Sequence, residues 1–258
     1  MALGIVTACA PKPPSLPAGA STSFPDFQSA YSVATAACGR VSTITLTANL
    51  SGRAGSTKLR GRVDAGFASP ARARLEGIAP FGRPVFILVA DGDRGTLVLP
   101  RDDRVLKDAP PQQIVEALAG VPLDAASLRT IVAGCGFPGA APSGDRARRF
   151  ANGWVSAPAG DGTVYLHPAA GGWSIVAASR GSLTVLYADE SGGRPATVRL
   201  RAEDQGRVTA DLTLRLSDVD VNTTLNPRTF DIGPDLPARP VPLTLEELRR
   251  AGPLGAAR

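Results

Sequence analysis

Apolar and polar residues alternate along much of the chain, which predicts a mainly β protein with a few helices. The clearest stretches are residues 41–52, 58–67 and 207–217, where apolar side chains alternate with Thr, Asp, Lys or Arg. A period of two is typical of strands with one face in the core and one in water. Residues 85–90 and 96–99 are apolar at nearly every position, so we expect central strands that other elements cover on the second face as well.

Apolar residues at spacings of three and four predict helices in four places. They are residues 23–39, 111–119, 124–134 and 244–250. Ser23 is the expected N-cap of the first helix, and Gly39 its left-handed C-terminal cap. Thr244 and Glu247 have the spacing of a capping box at the start of the last helix. The two middle helices fall between two groups of strands, where they can cover the apolar strands.

The elements follow the order helix, about five strands, two short helices and about six more strands. Glycine (28) and proline (23) are frequent, whereas aromatic residues make up only 5% of the chain. This composition is typical of many short strands joined by tight turns. We therefore predict one domain, residues 23–258, built as a curved antiparallel meander or an open barrel.

The net charge is +5, but the arginines are spread along the chain and interrupted by acids. Such a spread is typical of solvated strand faces; a weak attraction to anionic phospholipid or lipopolysaccharide head groups is the alternative. Stacking aromatics do not interleave with a basic stripe, so we expect no nucleic-acid partner.

The N-terminal residues resemble a bacterial lipoprotein signal. Residues 2–8 are mostly apolar, and the run Val-Thr-Ala-Cys that ends at Cys9 is similar to a lipobox, whose cysteine carries the lipid. Because a secretory signal has about 15–30 residues, residues 1–8 are interpreted as a truncated signal. Residues 9–22, rich in proline and small residues, predict a tether from the lipidated cysteine to the domain. An ordinary N-terminus with a chance cysteine is the alternative.

The cysteines are three in number, Cys9, Cys38 and Cys135. Lipidation of Cys9 would leave Cys38 and Cys135 free to form a disulfide in an oxidising periplasm. Two separate buried thiols are an equally good interpretation.

Residues of the kind that carry catalysis are sparse. The single histidine, His167, has no acid–base partner at a suggestive spacing. Residues 91–95 hint at a calcium loop but lack a third acid and a terminal glutamate, so a hairpin turn is favoured. We therefore expect no enzyme activity, no metal and no cofactor. An envelope hydrolase would require Asp91, Asp102 and Asp103 to converge in the fold.

Two short motifs resemble the periplasmic lipoprotein carriers and outer-membrane lipoprotein receptors, LolA and LolB. They are Gly-Arg-Val at residues 61–63 and Arg-Leu-Glu-Gly-Ile-Ala-Pro-Phe-Gly at residues 74–82. The resemblance implies an unclosed antiparallel β-barrel of about 10–11 strands with a helical lid. It also implies a lipid on Cys9 at the periplasmic face of the outer membrane, and it makes Phe81 a candidate for a loop that meets membrane or cargo.

In such a fold the inward positions would line a concavity for lipid or lipoprotein acyl chains. The strand positions are Leu46, Leu50, Val63, Leu75, Ile87 and Leu97, and the lid positions are Ile114, Leu118, Leu128 and Ile131. A filled core has the same binary pattern. The function is therefore predicted to be lipid binding in lipoprotein localisation, or else a structural or assembly lipoprotein with a packed interior that holds an envelope protein.

Overall fold

The computed structural model describes residues 15–78 and 84–253, and these residues form one sheet of 15 strands. The strands are β1 (Ser21–Ser23), β2 (Thr43–Ala54), β3 (Thr57–Ala68), β4 (Arg72–Ile78), β5 (Phe86–Asp91), β6 (Arg94–Leu99), β7 (Arg104–Ala109), β8 (Arg148–Phe150), β9 (Val155–Ala159), β10 (Gly162–Ala169), β11 (Gly172–Arg180), β12 (Leu183–Ser191), β13 (Arg194–Asp204), β14 (Arg207–Val221) and β15 (Val241–Pro242). The helices of the described residues are α1 (Phe27–Thr35), α2 (Pro111–Ala119), α3 (Ala125–Ala133) and α4 (Leu245–Ala251).

The sheet runs in the order β1-β8-β9-β10-β11-β12-β13-β14-β2-β3-β4-β5-β6-β7-β15 and does not close on itself. Its pairs are antiparallel except β15 with β7, which is parallel. The two halves of the chain meet where β14 pairs with β2, so Leu214 lies opposite Leu50. The predicted fold, an unclosed antiparallel barrel with helices, is confirmed.

Helices α2 and α3 cover one face of this sheet, which we call the inner face. Helix α2 contacts β6 and α4, and α3 contacts β3, β4 and β13. Asp124 caps α3 by accepting a hydrogen bond from the Ser127 amide, 2.7 Å away, which satisfies one of the free amides of the first turn. Gly120 and Gly134 end the two helices with positive φ angles of 74° and 92°, as left-handed caps do.

The first helix is shorter than predicted. Ser23 belongs to β1 and pairs with Arg148 of β8, and α1 begins at Phe27. Gly39 lies inside a short 3-10 helix, Cys38–Arg40, and does not cap α1. The backbone of β1 satisfies the open edge of β8, and this long-range pairing outweighs the local capping preference of a serine.

Three further strands, β7, β8 and β15, lie outside the predicted set. Their sequences are short or irregular in polarity, so a period of two cannot reveal them. β15 covers the edge of β7 through the Val241 amide, which donates to the Asp103 carbonyl at 2.8 Å. Short strands therefore cover both ends of the sheet, which removes long unpaired edges.

Residues 227–236, which we call the C-terminal segment, explain why β5 and β6 are apolar on both faces. On the outer face, Phe230, Ile232 and Leu236 pack against a cluster of four buried residues: Ile87, Val89, Val98 and Val105. Arg74 of β4 fixes this segment by an ion pair to Asp235 (2.8 Å), and Glu76 of the same strand pairs with the Arg74 side chain (2.5 Å).

A buried tyrosine fixes the loop after α3. The amide of Gly136 donates to the hydroxyl of Tyr187 at 3.0 Å, and burial raises the pKa of that hydroxyl. We expect Tyr187→Phe to lower the free energy of unfolding by about 1–3 kcal/mol, because a buried amide loses its acceptor. Urea unfolding measures this. Tyr165→Phe is the control, since no hydrogen bond to the Tyr165 hydroxyl is seen within the described residues, and equal losses in both variants would contradict the prediction.

Candidate functional site

A cavity of about 1000 Å³ lies between the inner face of the sheet and helices α2 and α3. A packed protein interior has few voids larger than a water molecule, and ligand pockets span roughly 300–1,000 Å³. The inner face is therefore not filled by the protein's own side chains. Of the two interiors that share the sequence pattern, the structure has the open one.

The wall of the cavity is apolar. Its apolar residues are Leu46, Ala48, Leu50, Leu59, Gly61, Val63, Ala65, Phe67, Leu75, Gly77, Ile78, Val85, Phe86, Val115, Leu118, Ala119, Val121, Leu128, Val132, Leu200, Leu212 and Leu214. The charged residues on it are Lys58, Arg60, Arg62 and Arg101. Among the described residues, neither an acid nor an uncharged polar side chain lines the cavity. An apolar ligand with a charged end is what such a wall can hold.

Six of the predicted cavity residues line this wall. They are Leu46, Leu50, Val63, Leu75, Leu118 and Leu128. The strand members project inward because β2, β3 and β4 keep the register that the alternation predicts: Leu50 lies opposite Gly61, and Leu75 opposite Ala65.

The structure places the other four, Ile87, Leu97, Ile114 and Ile131, away from the cavity. Ile87 faces the opposite side of the sheet, under the C-terminal segment. Leu97, Ile114 and Ile131 are buried in the main core, each at most 1% exposed. Where a strand is apolar on both faces, its sequence does not determine which residues point inward. Helix α2 packs so closely on β6 that a Cβ atom at Gly95 would lie 3.0 Å from Ile114 Cδ1, which leaves no open space there.

Several wall residues come from elements that the sequence did not connect with the site. Leu200, Leu212 and Leu214 belong to β13 and β14, which reach the cavity because β14 pairs with β2. The alternation of β14 marks Leu212 and Leu214 as inward, but not as neighbours of β2. Phe86 reaches the wall over Gly77, where a Cβ atom would collide with its ring.

The cavity opens along the first half of β3. A strand within a wall presents alternate residues, as β2 does, yet β3 lines the cavity with the consecutive residues 58–62. β4 pairs with β3 only from Arg62, which lies opposite Ile78, so in the described part of the chain residues 57–61 pair with β2 alone. Residues 85–86 and Arg101 also border the cavity. We call this border, residues 58–62, 77–78, 85–86 and 101, the mouth.

Two predicted residues, Cys9 and Phe81, lie outside the described residues and stay predictions. Ile78 and Val85, described residues on the two sides of residues 79–83, both line the cavity. The structure joins Cys38, after α1, to Cys135, after α3, in a disulfide with a Cα–Cα distance of 5.6 Å.

The three aspartates that an envelope hydrolase would require are not brought together by the fold. Asp91 lies at the β5–β6 turn and Asp102 and Asp103 follow β6 at its other end, a separation of about 20 Å along six residues. His167 contacts the carbonyl of Pro168 at 2.8 Å and the ring of Trp154. Among the described residues, no group of three or more His, Cys, Asp or Glu could hold a metal. In the same part of the chain, each helix is too short or too polar to cross a membrane.

Comparison with known proteins identifies solved structures with a similar fold. No protein-family model matches the chain, and no curated protein does. Among solved structures, a LolA superfamily protein from Nitrosomonas europaea is 13% identical and has a TM-score of 0.50, over 78% of this chain and 96% of that one. A domain assigned to outer membrane lipoprotein sorting in Vibrio parahaemolyticus is also 13% identical, with a TM-score of 0.47 over 79% and 97% of the chains.

At this identity the first similarity shows a shared fold and nothing about a ligand. The chain has the fold of a LolA superfamily protein, an open antiparallel sheet with helices on its inner face. The resemblance to the LolA and LolB carriers and receptors is confirmed at that level.

Proposed function

We propose that this protein binds the acyl chains of a lipid or lipoprotein in its cavity and serves in their localisation at the bacterial cell envelope. The observation that carries the proposal is the open apolar cavity of about 1000 Å³ under α2 and α3. Each methylene transferred from water into such a cavity contributes about 0.8 kcal/mol, so a dozen methylenes contribute about 10 kcal/mol without any specific polar contact. The wall supplies what an acyl chain needs.

The proposal includes attachment to the periplasmic face of the outer membrane through a lipid on Cys9. The described chain limits how far the body could stand from that membrane, because Leu16 packs against the cluster of Trp154, Ala177 and Leu186 on the outer face. From Cys9 to Leu16 the chain can span at most about 25 Å. The tether that can separate the body from a membrane would therefore be shorter than the predicted residues 9–22, and the cavity would stay close to the lipid surface.

Mass spectrometry of bound lipid tests this function directly. The full chain carrying Cys9→Ser, which removes the attached lipid, is exported to a bacterial periplasm, purified and extracted with organic solvent. We expect a phospholipid or acyl species at about one molecule per protein. An extract at background level, repeated after incubation with phospholipid vesicles, would overturn the proposal and favour a scaffold for an envelope protein.

A further inference from the structure

Among the described residues, those that border the cavity and carry a charge are all basic. Lys58, Arg60 and Arg62 follow one another at alternate positions of β3, and Arg101 lies in the turn after β6. Acids are frequent elsewhere in the chain, which has 23 of them against 28 lysines and arginines. The described residues of the mouth thus include four cations and no acid, although Asp64, which pairs with Arg62, and Asp102, which follows Arg101, lie next to it.

These cations are available to a ligand. Lys58, Arg60 and Arg101 are exposed and form no ion pair with any residue that the structure describes. Arg62 pairs with Asp64 at 3.0 Å, but the two side chains remain 52% and 39% exposed. An exposed pair of this kind is weak and exchanges readily for another anion.

Strand geometry places Lys58, Arg60 and Arg62 at the border of the cavity, on the opposite side of β3 from its apolar lining residues. The inward positions of this part of β3 are Leu59, Gly61 and Val63, so the side chains of the basic residues leave the strand on its outer face. Their long alkyl stems can pass along this part of β3, whose pairing among the described residues is with β2 alone, while the charged ends stay in water. A molecule whose chains enter past this part of the strand would hold its polar end among them.

We infer that the ligand is a phospholipid with a net negative headgroup, whose acyl chains occupy the cavity and whose headgroup lies among Lys58, Arg60 and Arg101. The inference rests on the proposed function and adds the class of lipid. Opposite charges at the border of a site add selectivity among partners more than raw affinity. The apolar wall therefore supplies most of the binding, and the mouth selects the headgroup.

The test compares two monomeric fluorescent phospholipids with identical acyl chains, one with phosphatidylglycerol and one with phosphatidylcholine as headgroup. We expect the full chain with Cys9→Ser to bind the anionic lipid about tenfold more tightly, since three weak exposed pairs add up to roughly that factor. The preference should shrink when salt is raised from about 0.1 M to about 1 M, because the screening length falls from about 10 Å to about 3 Å.

The variant Lys58→Gln/Arg60→Gln/Arg101→Gln is expected to bring the ratio of the two affinities close to one. Its matched control is Arg94→Gln/Lys107→Gln/Arg207→Gln, which removes one lysine and two arginines that are exposed and lie away from the cavity. Both variants lose the same net charge, so general attraction to anions changes equally. The control should keep the full preference. If the first variant binds neither lipid, the single change Arg101→Gln takes its place and should lower the ratio.

Each outcome separates the inference from the proposed function. Equal affinity of the starting protein for the two lipids would overturn the inference and leave acyl-chain binding intact. Binding of neither lipid would overturn both. A preference that survives in the triple variant would show that anions bind elsewhere on the surface and would overturn the inference as well.

Discussion

Replacement of Gly61 by phenylalanine is expected to weaken the binding of an acyl-chain probe roughly 10- to 50-fold, because a ring that displaces two or three methylenes removes about 0.8 kcal/mol for each. Gly61 lines the cavity, and a Cβ atom built on it would have no neighbour within 4 Å. Its φ angle is one that any residue adopts. The new side chain therefore enters open space without straining the strand.

The same change should leave the fold intact, because an aromatic residue is favoured in a strand and a glycine is not. Titration of a fluorescent fatty acid into the full chain with Cys9→Ser, with and without Gly61→Phe, measures the effect. Gly171→Phe is the matched control, since Gly171 also has open space and an ordinary φ angle but lies in the β10–β11 turn, away from the cavity. Undiminished binding in Gly61→Phe, with unchanged unfolding, would contradict the assignment of the cavity as the site.

Loss of the Cys38–Cys135 disulfide is expected to lower the free energy of unfolding by about 2–5 kcal/mol. The two cysteines are 97 residues apart. Linking them restricts the unfolded chain, and for a closed loop of about 100 residues the chain-entropy model places the gain near 4–5 kcal/mol. Cys135 directly follows α3, which lies over the cavity, so reduction should also allow α3 to open more often than the sheet unfolds.

Urea unfolding with and without a reductant measures the first effect, and hydrogen exchange of the α3 amides measures the second. The variant Cys38→Ala/Cys135→Ala is the control, because a reductant has no bond to break in it. The unmodified pair should lose stability on reduction, whereas the variant should not respond. An equal urea midpoint for the oxidised and reduced protein would mean that the bond contributes nothing to stability.

The sequence predicted correctly those elements whose structure depends on a single short segment of the chain. The alternation of Leu46, Ala48 and Leu50 predicts β2 and its inward face, and the pairing of β2 with β3 preserves it. The capping box of Thr244 and Glu247 is formed as predicted, with each residue bonded to the other's backbone amide. The turn at residues 91–94 closes the β5–β6 hairpin. In these places a short stretch of sequence carries enough free energy to determine its own structure.

Predictions were less successful where a residue's place depends on a distant partner. Ile87 could face either side of its strand, and the packing of Phe230 and Ile232 on the outer face decides the matter. Ser23 could cap a helix, but the open edge of β8 pairs with it instead. A local preference such as an N-cap contributes only about 0.5–2 kcal/mol, so long-range pairing and packing can outweigh it.

The sequence by itself therefore determined the class of fold, the inward faces of β2, β3 and β4, and the helices between the two groups of strands. Only the tertiary structure decided that the space beneath α2 and α3 is open, that Leu212 and Leu214 complete its wall, and that basic residues border its mouth. The physical reason is that alternation records which side of a strand avoids water. A filled core and an apolar cavity satisfy that requirement equally well, and they differ only in how far the covering helices stand from the sheet.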